Sequence, residues 1–264
     1  MATPRFFCCA PLAARTTIEL PADLSHHALR VLRLKPDTGI TLFDGSGGEY
    51  PARLLVDGKK AYATTGDHAA IENELPGGIT LVQGMAGGDK MDWIIEKAVE
   101  LGAKRLVPVA ARKSVLQLSG DRLAKRLVHW RRIVQAASEQ CGRNRIMLID
   151  DPMSLQACLA QLSEAGRAAS GRATSGRAAS GRAASGHAAL FCDPAGRQTL
   201  AQALAHSTGD LTLLVGPEGG WSVEEQALVK DHGLTPVRFG NRVLRTETAG
   251  LALIAAVSAL RGWE

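Results

Sequence analysis

Aromatic side chains are scarce in this sequence: four Trp, two Tyr and five Phe among 264 residues. That supply does not suggest a platform of rings on which single-stranded nucleic acid would stack. Cysteines are few and scattered, at Cys8, Cys9, Cys141, Cys158 and Cys192. No two form a C-x-x-C pair, so neither a zinc site nor a disulfide framework is indicated, and no metal is expected. An odd number of unpatterned thiols fits the reduced cytoplasm. No apolar run reaches the roughly 18 residues that a membrane-spanning helix needs. The opening MATPRFFCCAPLAAR is too short and broken to read as a secretory signal.

One further lack is more informative. The stretch LVGPEGGWSVEE (Leu214–Glu225) runs apolar residues into a Gly-rich turn and then into a helix start. It has no Lys where a nucleotide-binding P-loop requires one. It also lacks the G-x-G-x-x-G spacing of a dinucleotide fingerprint. Glu218 sits where negative charge would repel a phosphate. A ligand here is therefore not strongly anionic, or is gripped away from its anionic part. A lone glycine pair is otherwise read as a tight turn.

The net charge is +5, but it is unevenly spread, and residues 166–187 alone carry four arginines and no acidic residue. Overall basicity is thus poor evidence for RNA binding, and local clusters are better evidence. His26–Lys35 (HHALRVLRLK) packs two His, two Arg and a Lys into ten residues. His27, Arg30 and Arg33 of that cluster, with Arg112, Lys113 and Arg132, are the candidate RNA contacts. Such residues hold phosphate without reading sequence. With few aromatics, recognition of structured RNA or of an assembled particle by shape is expected.

Residues 166–187 form a five-residue Gly-Arg-Ala-Ala-Ser repeat. With almost no large apolar side chain, the tract cannot offset its own ordering entropy, and it reads as a flexible surface insertion. Residues 1–76 have short alternating runs and turn signals, notably Gly39–Val56 and Ala61–Ile71, and read as a small β-rich domain. From residue 77 to 264 the pattern changes. Strand-like Ile79–Ala86, Arg105–Ala110, Ala189–Asp193, Leu211–Val215 and Thr235–Phe239 alternate with helical stretches. In Gly88–Gly102 the residues Met91, Ile94, Ile95 and Ala98 recur at helical spacing, with Asp89 as N-cap and Gly102 as stop. A longer helix over Asp121–Cys141 shows one apolar stripe and an otherwise basic surface. This alternation predicts an α/β domain with a mostly parallel sheet.

Ligands bind beyond the carboxyl ends of such strands. Two strand ends carry unusual loops, GPEGG after Leu211–Val215 and GNRVLRTETAG (Gly240–Gly250) after Thr235–Phe239. The first leads into a helix through a capping box, Ser222-x-x-Glu225. The second leads into a helix that Thr246 can cap. Arg242 and Arg245 could be solvated, and Glu247 could serve only a helix N-terminus. All of them together favour a site.

These residues resemble a known family. LLVGPEGGWSVEE with GNRVLRTETAGLALIAAV is similar to the paired C-terminal motifs of the 16S ribosomal RNA uridine-N3 methyltransferases called RsmE, of the SPOUT superfamily. GMAGGDKMDWIIEKAVELGAKRLVPV (Gly84–Val109), HWRRIVQAASEQCGRNRI (His129–Ile146) and HHALRVLRLKPDTGITLFDGSGGEY (His26–Tyr50) match the same pattern. The resemblance spans nearly all of the chain except 166–187.

The resemblance implies a PUA-like RNA-binding β-barrel over 1–76 and a trefoil-knotted SPOUT domain over 77–264. It implies a homodimer, because such sites are completed by a second subunit. It implies S-adenosylmethionine as cofactor, which carries a sulfonium cation and no phosphate. The residues expected to hold it are Leu214, Val215, Gly216, Glu218, Gly219, Gly220, Phe239, Val243, Leu244, Arg245 and Thr246. Arg245 and Arg143 are candidates for stabilising negative charge on the uracil, and Glu247 is a candidate base. Arg143 could equally hold a phosphate. The expected substrate is a uridine of 16S ribosomal RNA, within the assembled small subunit. A tRNA base, or a catalytically silent RNA-binding protein, are the alternatives.

Overall fold

The structure is a computed structural model that describes residues 3–114, 116, 119–172, 187–205 and 207–263. The chain divides into two compact units. One comprises residues up to Glu74 together with Gln135–Ile146, and the other comprises Leu75–Val134 and Met147 onward. Residues 135–146, which begin within the long basic helix, group with the first unit.

In the first unit, strands β1 (Arg5–Phe7), β2 (Thr17–Glu19), β3 (Gly39–Phe43), β4 (Tyr50–Asp57) and β5 (Lys60–Thr65) form one sheet in the order β1-β3-β4-β5-β2. Apart from the parallel β1–β3 pair, the neighbours are antiparallel. In β4, buried Ala52 and Leu54 alternate with exposed Pro51, Arg53 and Leu55, as expected of a sheet with one face on a core. The core is closed by the short helix α1 (Ala22–His26), which runs into a π-helical turn at His27–Val31. Leu24 and Ala28 of this segment pack with Phe6, Ile40, Leu42 and Leu54. The strand expected to continue toward Ile71 ends at Thr65.

The second unit contains β6 (Ile79–Gly84), α2 (Lys90–Glu100), β7 (Arg105–Ala110) and most of α3 (Gly120–Cys141). It continues with β8 (Leu148–Ile149), β9 (Met153–Ser154), α4 (Leu155–Arg172), β10 (Ala188–Cys192) and β11 (Gln198–Thr199). Helix α5 (Leu200–Leu204), β12 (Leu211–Val215), α6 (Val223–Asp231), β13 (Thr235–Arg238) and α7 (Thr246–Arg261) complete it. Among the described residues these strands form a parallel sheet ordered β11-β13-β10-β12-β6-β7-β8, with β9 also on β7.

Helices cover both faces. Val82 of β6 shares a core with Leu159 of α4 and Val229 of α6, whereas its neighbour Leu81 meets Gly250 of α7. Strands buried on both faces read as continuous apolar runs, and β12 is buried at all five positions. Helix α2 behaves as its spacing predicts, with Met91, Ile94, Ile95 and Ala98 buried, although Asp89 at its N-cap makes no side-chain capping bond. Gly102 follows it at φ +84°, the left-handed stop that favours glycine. Trp130 of α3 is fully buried and its indole N–H donates to Asp92 Oδ1 of α2 at 3.0 Å. Large apolar area and a satisfied polar tip pin the two helices together.

Helix α4 runs to Arg172, so the first residues of the 166–187 repeat extend a helix where the sequence suggested none. Once a helix is nucleated, Ala and Arg prolong it at little cost. The rest of the repeat, 173–186, lies outside the described residues.

Candidate active site

The site grows from the carboxyl end of β12. At Gly216 the chain leaves the sheet, and a Cβ there would meet Trp221 Nε1 at 2.9 Å. Gly216 is therefore glycine because the turn folds back onto the indole. Gly220 answers a different need. Its φ is +65°, with open space where a side chain would go, so backbone conformation and not crowding selects it. The Gly220 N–H closes the turn on Pro217 O at 2.9 Å.

Ser222 and Glu225 then form the reciprocal capping box that starts α6. Glu225 does more than cap. While its Oε2 accepts from the Ser222 N–H, its Oε1 accepts from the Arg112 N–H, both at 2.8 Å. This buried carboxylate thereby ties the loop after β7 to the GPEGG turn.

The second wall is the loop after β13, which enters α7. The N-cap of α7 is Arg245, without a side-chain capping bond. Thr246, expected as the cap, is the first helical residue and has another use. Its hydroxyl donates to the Gly216 carbonyl at 2.5 Å and accepts from Gln83 Nε2 at 2.8 Å. One hydroxyl thus joins the two loops that the sequence singled out.

Between these loops lies a cavity of about 980 Å³, lined by Val215–Trp221, Arg238–Glu247 and Phe191–Pro194 at the carboxyl end of β10, with Lys90. This volume suits a ligand of nucleoside size or larger. The Glu218 carboxylate accepts from the Gly87 N–H at 3.0 Å and from Lys90 Nζ at 3.1 Å. Burial pushes its pKa up, but the bonds from Gly87, from its own N–H and from Lys90 outweigh that and hold it below the ordinary glutamate value. Glu247 has a buried Oε2 with no hydrogen-bond partner. Lys90 Nζ lies 3.9 Å from that oxygen, and Arg245 lies 4.0 Å from Oε1.

Of the expected cofactor residues, Val215, Gly216, Glu218, Gly219, Gly220, Phe239, Val243, Leu244, Arg245 and Thr246 line this cavity. Leu214 is fully buried in β12 behind it. Glu247 also lines the cavity, and the Arg245 side chain stands 82% exposed at its rim. Arg143 does not line it. Its side chain is 3% exposed in the first unit and bonds Glu74 through two nitrogens, at 2.9 and 2.6 Å. Its guanidinium is thus buried and paired with Glu74 inside the first unit.

The candidate RNA contacts are surface residues. His27, Arg30 and Arg33 are exposed in the first unit, and Arg33 sits at φ +52°. Arg112, Lys113 and Arg132 are exposed in the second. Arg112 is paired with Glu224 at 3.2 Å, and Lys113 reaches the Trp221 carbonyl at 3.5 Å.

Sequence reasoning missed Lys90, Gln83 and Asp193. Asp193 was legible in principle, since it follows β10 directly and a strand's carboxyl end is where ligands sit. Lys90 and Gln83 carried no such signal. Each is defined by a partner more than 120 residues away along the chain.

The chain matches the RNA methyltransferase domain family over residues 73–258 and the RNA methyltransferase PUA domain over residues 20–64. The crystal structure of ribosomal RNA small subunit methyltransferase E from Neisseria gonorrhoeae, bound to S-adenosyl methionine, is similar at 34% identity and a TM-score of 0.82, with 98% of each chain covered. The methyltransferase of the same name from Bacillus subtilis is 29% identical over 92% of this chain and 90% of that protein. The one from Synechocystis is 29% identical over 92% of this chain and 73% of that protein. With two matched domains and these full-length relatives, the chain belongs to the RNA methyltransferase family of ribosomal RNA small subunit methyltransferase E.

Proposed function

We propose that this protein is an S-adenosylmethionine-dependent methyltransferase that modifies N3 of a uridine in small-subunit 16S ribosomal RNA. The observation that carries the reading is the cavity walled by the GPEGG turn and the Arg238–Glu247 segment, with Thr246 joining the two. The residues fit S-adenosylmethionine. The glycine-rich wall offers backbone instead of side chains, and a Cβ at Gly216 would crowd Trp221. Glu218 and Glu247 bring negative charge toward a cation, and Glu247 Oε2 is buried without a hydrogen-bond partner. When bound, this cofactor supplies a methyl group carried on a sulfonium.

The residues proposed to hold it are Val215, Gly216, Gly219, Gly220, Phe239, Val243, Leu244 and Thr246, with Leu214 supporting them from the strand behind. The chain's own groups must also orient a uracil and manage the proton on its N3. Positioning alone can contribute about 7–11 kcal/mol to such a step. Glu247 Oε2 accepts that proton. Arg245, free to swing at the rim, steadies negative charge on the uracil oxygens. His27, Arg30, Arg33, Arg112, Lys113 and Arg132 hold RNA phosphates.

The same reading includes the trefoil-knotted path, a homodimer and a place in the cytoplasm. Val223 at the start of α6 and Val243 in the loop before α7 support the dimer, being 80% and 79% exposed, where apolar surface invites a partner. The test is methyl transfer to purified small ribosomal subunits, followed by mass-spectrometric mapping of the nucleosides. N3-methyluridine in the 16S RNA is expected. Methylation of tRNA instead, or cofactor binding with no transfer to RNA, would replace this reading with one of its two rivals.

A further inference from the structure

We infer that Gln83 is a positioning residue for the methyl-transfer site, acting through Thr246 to fix the distance between the two cofactor loops. The inference rests on the proposed S-adenosylmethionine site and adds to it a residue that does not line the cavity.

Gln83 is the fifth residue of β6 and is fully buried. Polar side chains are rarely placed so deep unless their hydrogen bonds are met. Both amide protons of Gln83 are used. Nε2 donates to the Gly84 carbonyl at 3.0 Å and to Thr246 Oγ1 at 2.8 Å. The carbonyl oxygen Oε1 has no partner. The amide is therefore oriented by what it donates to.

The orientation determines what Thr246 can do. A threonine hydroxyl has one proton. Because Gln83 supplies a donor to Oγ1, that proton is left for the Gly216 carbonyl, which it reaches at 2.5 Å. The relay runs from β6 through the first residue of α7 to the first residue of the GPEGG turn. Chained hydrogen bonds in a dry interior reinforce one another. Backbone packing holds the same junction, since a Cβ at Gly84 would meet Pro217 Cδ and Pro217 N at 2.5 Å. Three segments are thus held at one point, and two of them are the walls of the cavity.

Substituting Gln83 redirects the relay in a way that chemistry fixes. In Gln83→Glu the side chain becomes an acceptor. It draws the Thr246 proton away from Gly216 and sets an oxygen against the Gly84 carbonyl. Gln83→Met keeps the length and removes both donors. Thr246→Val keeps the shape and removes the hydroxyl, while Thr246→Ser keeps the hydroxyl.

The test is isothermal calorimetry of S-adenosylmethionine binding to the full-length protein, paired with melting temperature and with single-turnover methylation. Wild type must bind first, and its failure to bind would refute the proposed cofactor site itself and not only the role of Gln83. Given that binding, Gln83→Glu and Thr246→Val are expected to weaken cofactor affinity about 10-fold or more, as for loss of a buried hydrogen bond. The KM for cofactor should rise with them. Thr246→Ser, which keeps the hydroxyl, should lose less affinity than Thr246→Val. In a double-mutant cycle, Gln83→Met with Thr246→Val should cost much less than the two single changes multiplied. Gln83→Met that binds cofactor as tightly as wild type overturns the inference. So do strictly multiplicative effects. If Gln83→Glu fails to fold, the cycle built on Gln83→Met and Thr246→Val decides the matter alone.

Discussion

Glu218 of the GPEGG turn is bound to Lys90 at the start of α2, carboxylate to ammonium at 3.1 Å, with the Gly87 N–H donating to the same oxygen. From sequence, Glu218 reads as a charge that turns phosphate away. In the structure it also fastens the GPEGG turn to the loop that follows β6.

This bond predicts a pH signature. The pKa of Glu218 is lower in the folded protein than in the unfolded chain. Such a carboxylate stabilises the fold above its unfolded pKa, about 4.3, and the contribution is lost as pH falls through the lower folded value. The difference in melting temperature between wild type and Glu218→Gln should therefore be constant from neutral pH down to about 5 and should shrink below about 4.3. A difference that grows on acidification would mean the bond is not formed.

Glu225 is expected to matter more for stability than its place on a helix suggests. Glu225→Ala removes the capping box and leaves the Arg112 N–H unpaired at a part-buried site. Together these should cost about 1–3 kcal/mol. Chemical denaturation checks it. A loss no larger than that of Ser222→Ala would show that the tie to Arg112 contributes nothing.

At Gly220 the strain and the space point in different directions. Nothing crowds the position, yet φ is +65°. Gly220→Val should lose S-adenosylmethionine binding while RNA affinity survives. Gly220→Asn should retain most of it, because asparagine tolerates the left-handed region. Equal losses in both variants, measured by calorimetry, would point to crowding by the ligand and not to backbone conformation.

The two candidate arginines should separate cleanly. Arg143→Ala breaks a buried pair and should destabilise the protein by about 3–5 kcal/mol. Arg245→Ala, at an exposed rim position, should leave the melting temperature unchanged and lower kcat about 100-fold with little change in KM. Full kcat in Arg245→Ala would remove that residue from the mechanism.

The sequence made the strand-helix alternation legible because each element carries its own period. The burial of Met91, Ile94, Ile95 and Ala98 followed from spacing alone. The capping box at Ser222 and Glu225 was equally local. What stayed hidden was long-range pairing. Arg143 looked like a free cation beyond a basic helix, and only the fold brings Glu74 to it. Thr246 looked like a cap, and only the sheet order sets Gln83 beside it. The group formed by 135–146 and the first unit was hidden for the same reason, since continuous helical periodicity gives no sign of a change of partner.

Transfer of labelled methyl from S-adenosylmethionine to purified small ribosomal subunits, with the modified nucleoside then identified in the 16S RNA, tests the central claim most directly. The account predicts N3-methyluridine at one uridine of the 16S RNA, strongly reduced in Arg245→Ala. Label appearing in tRNA, on another atom of the base, or nowhere in RNA would contradict it.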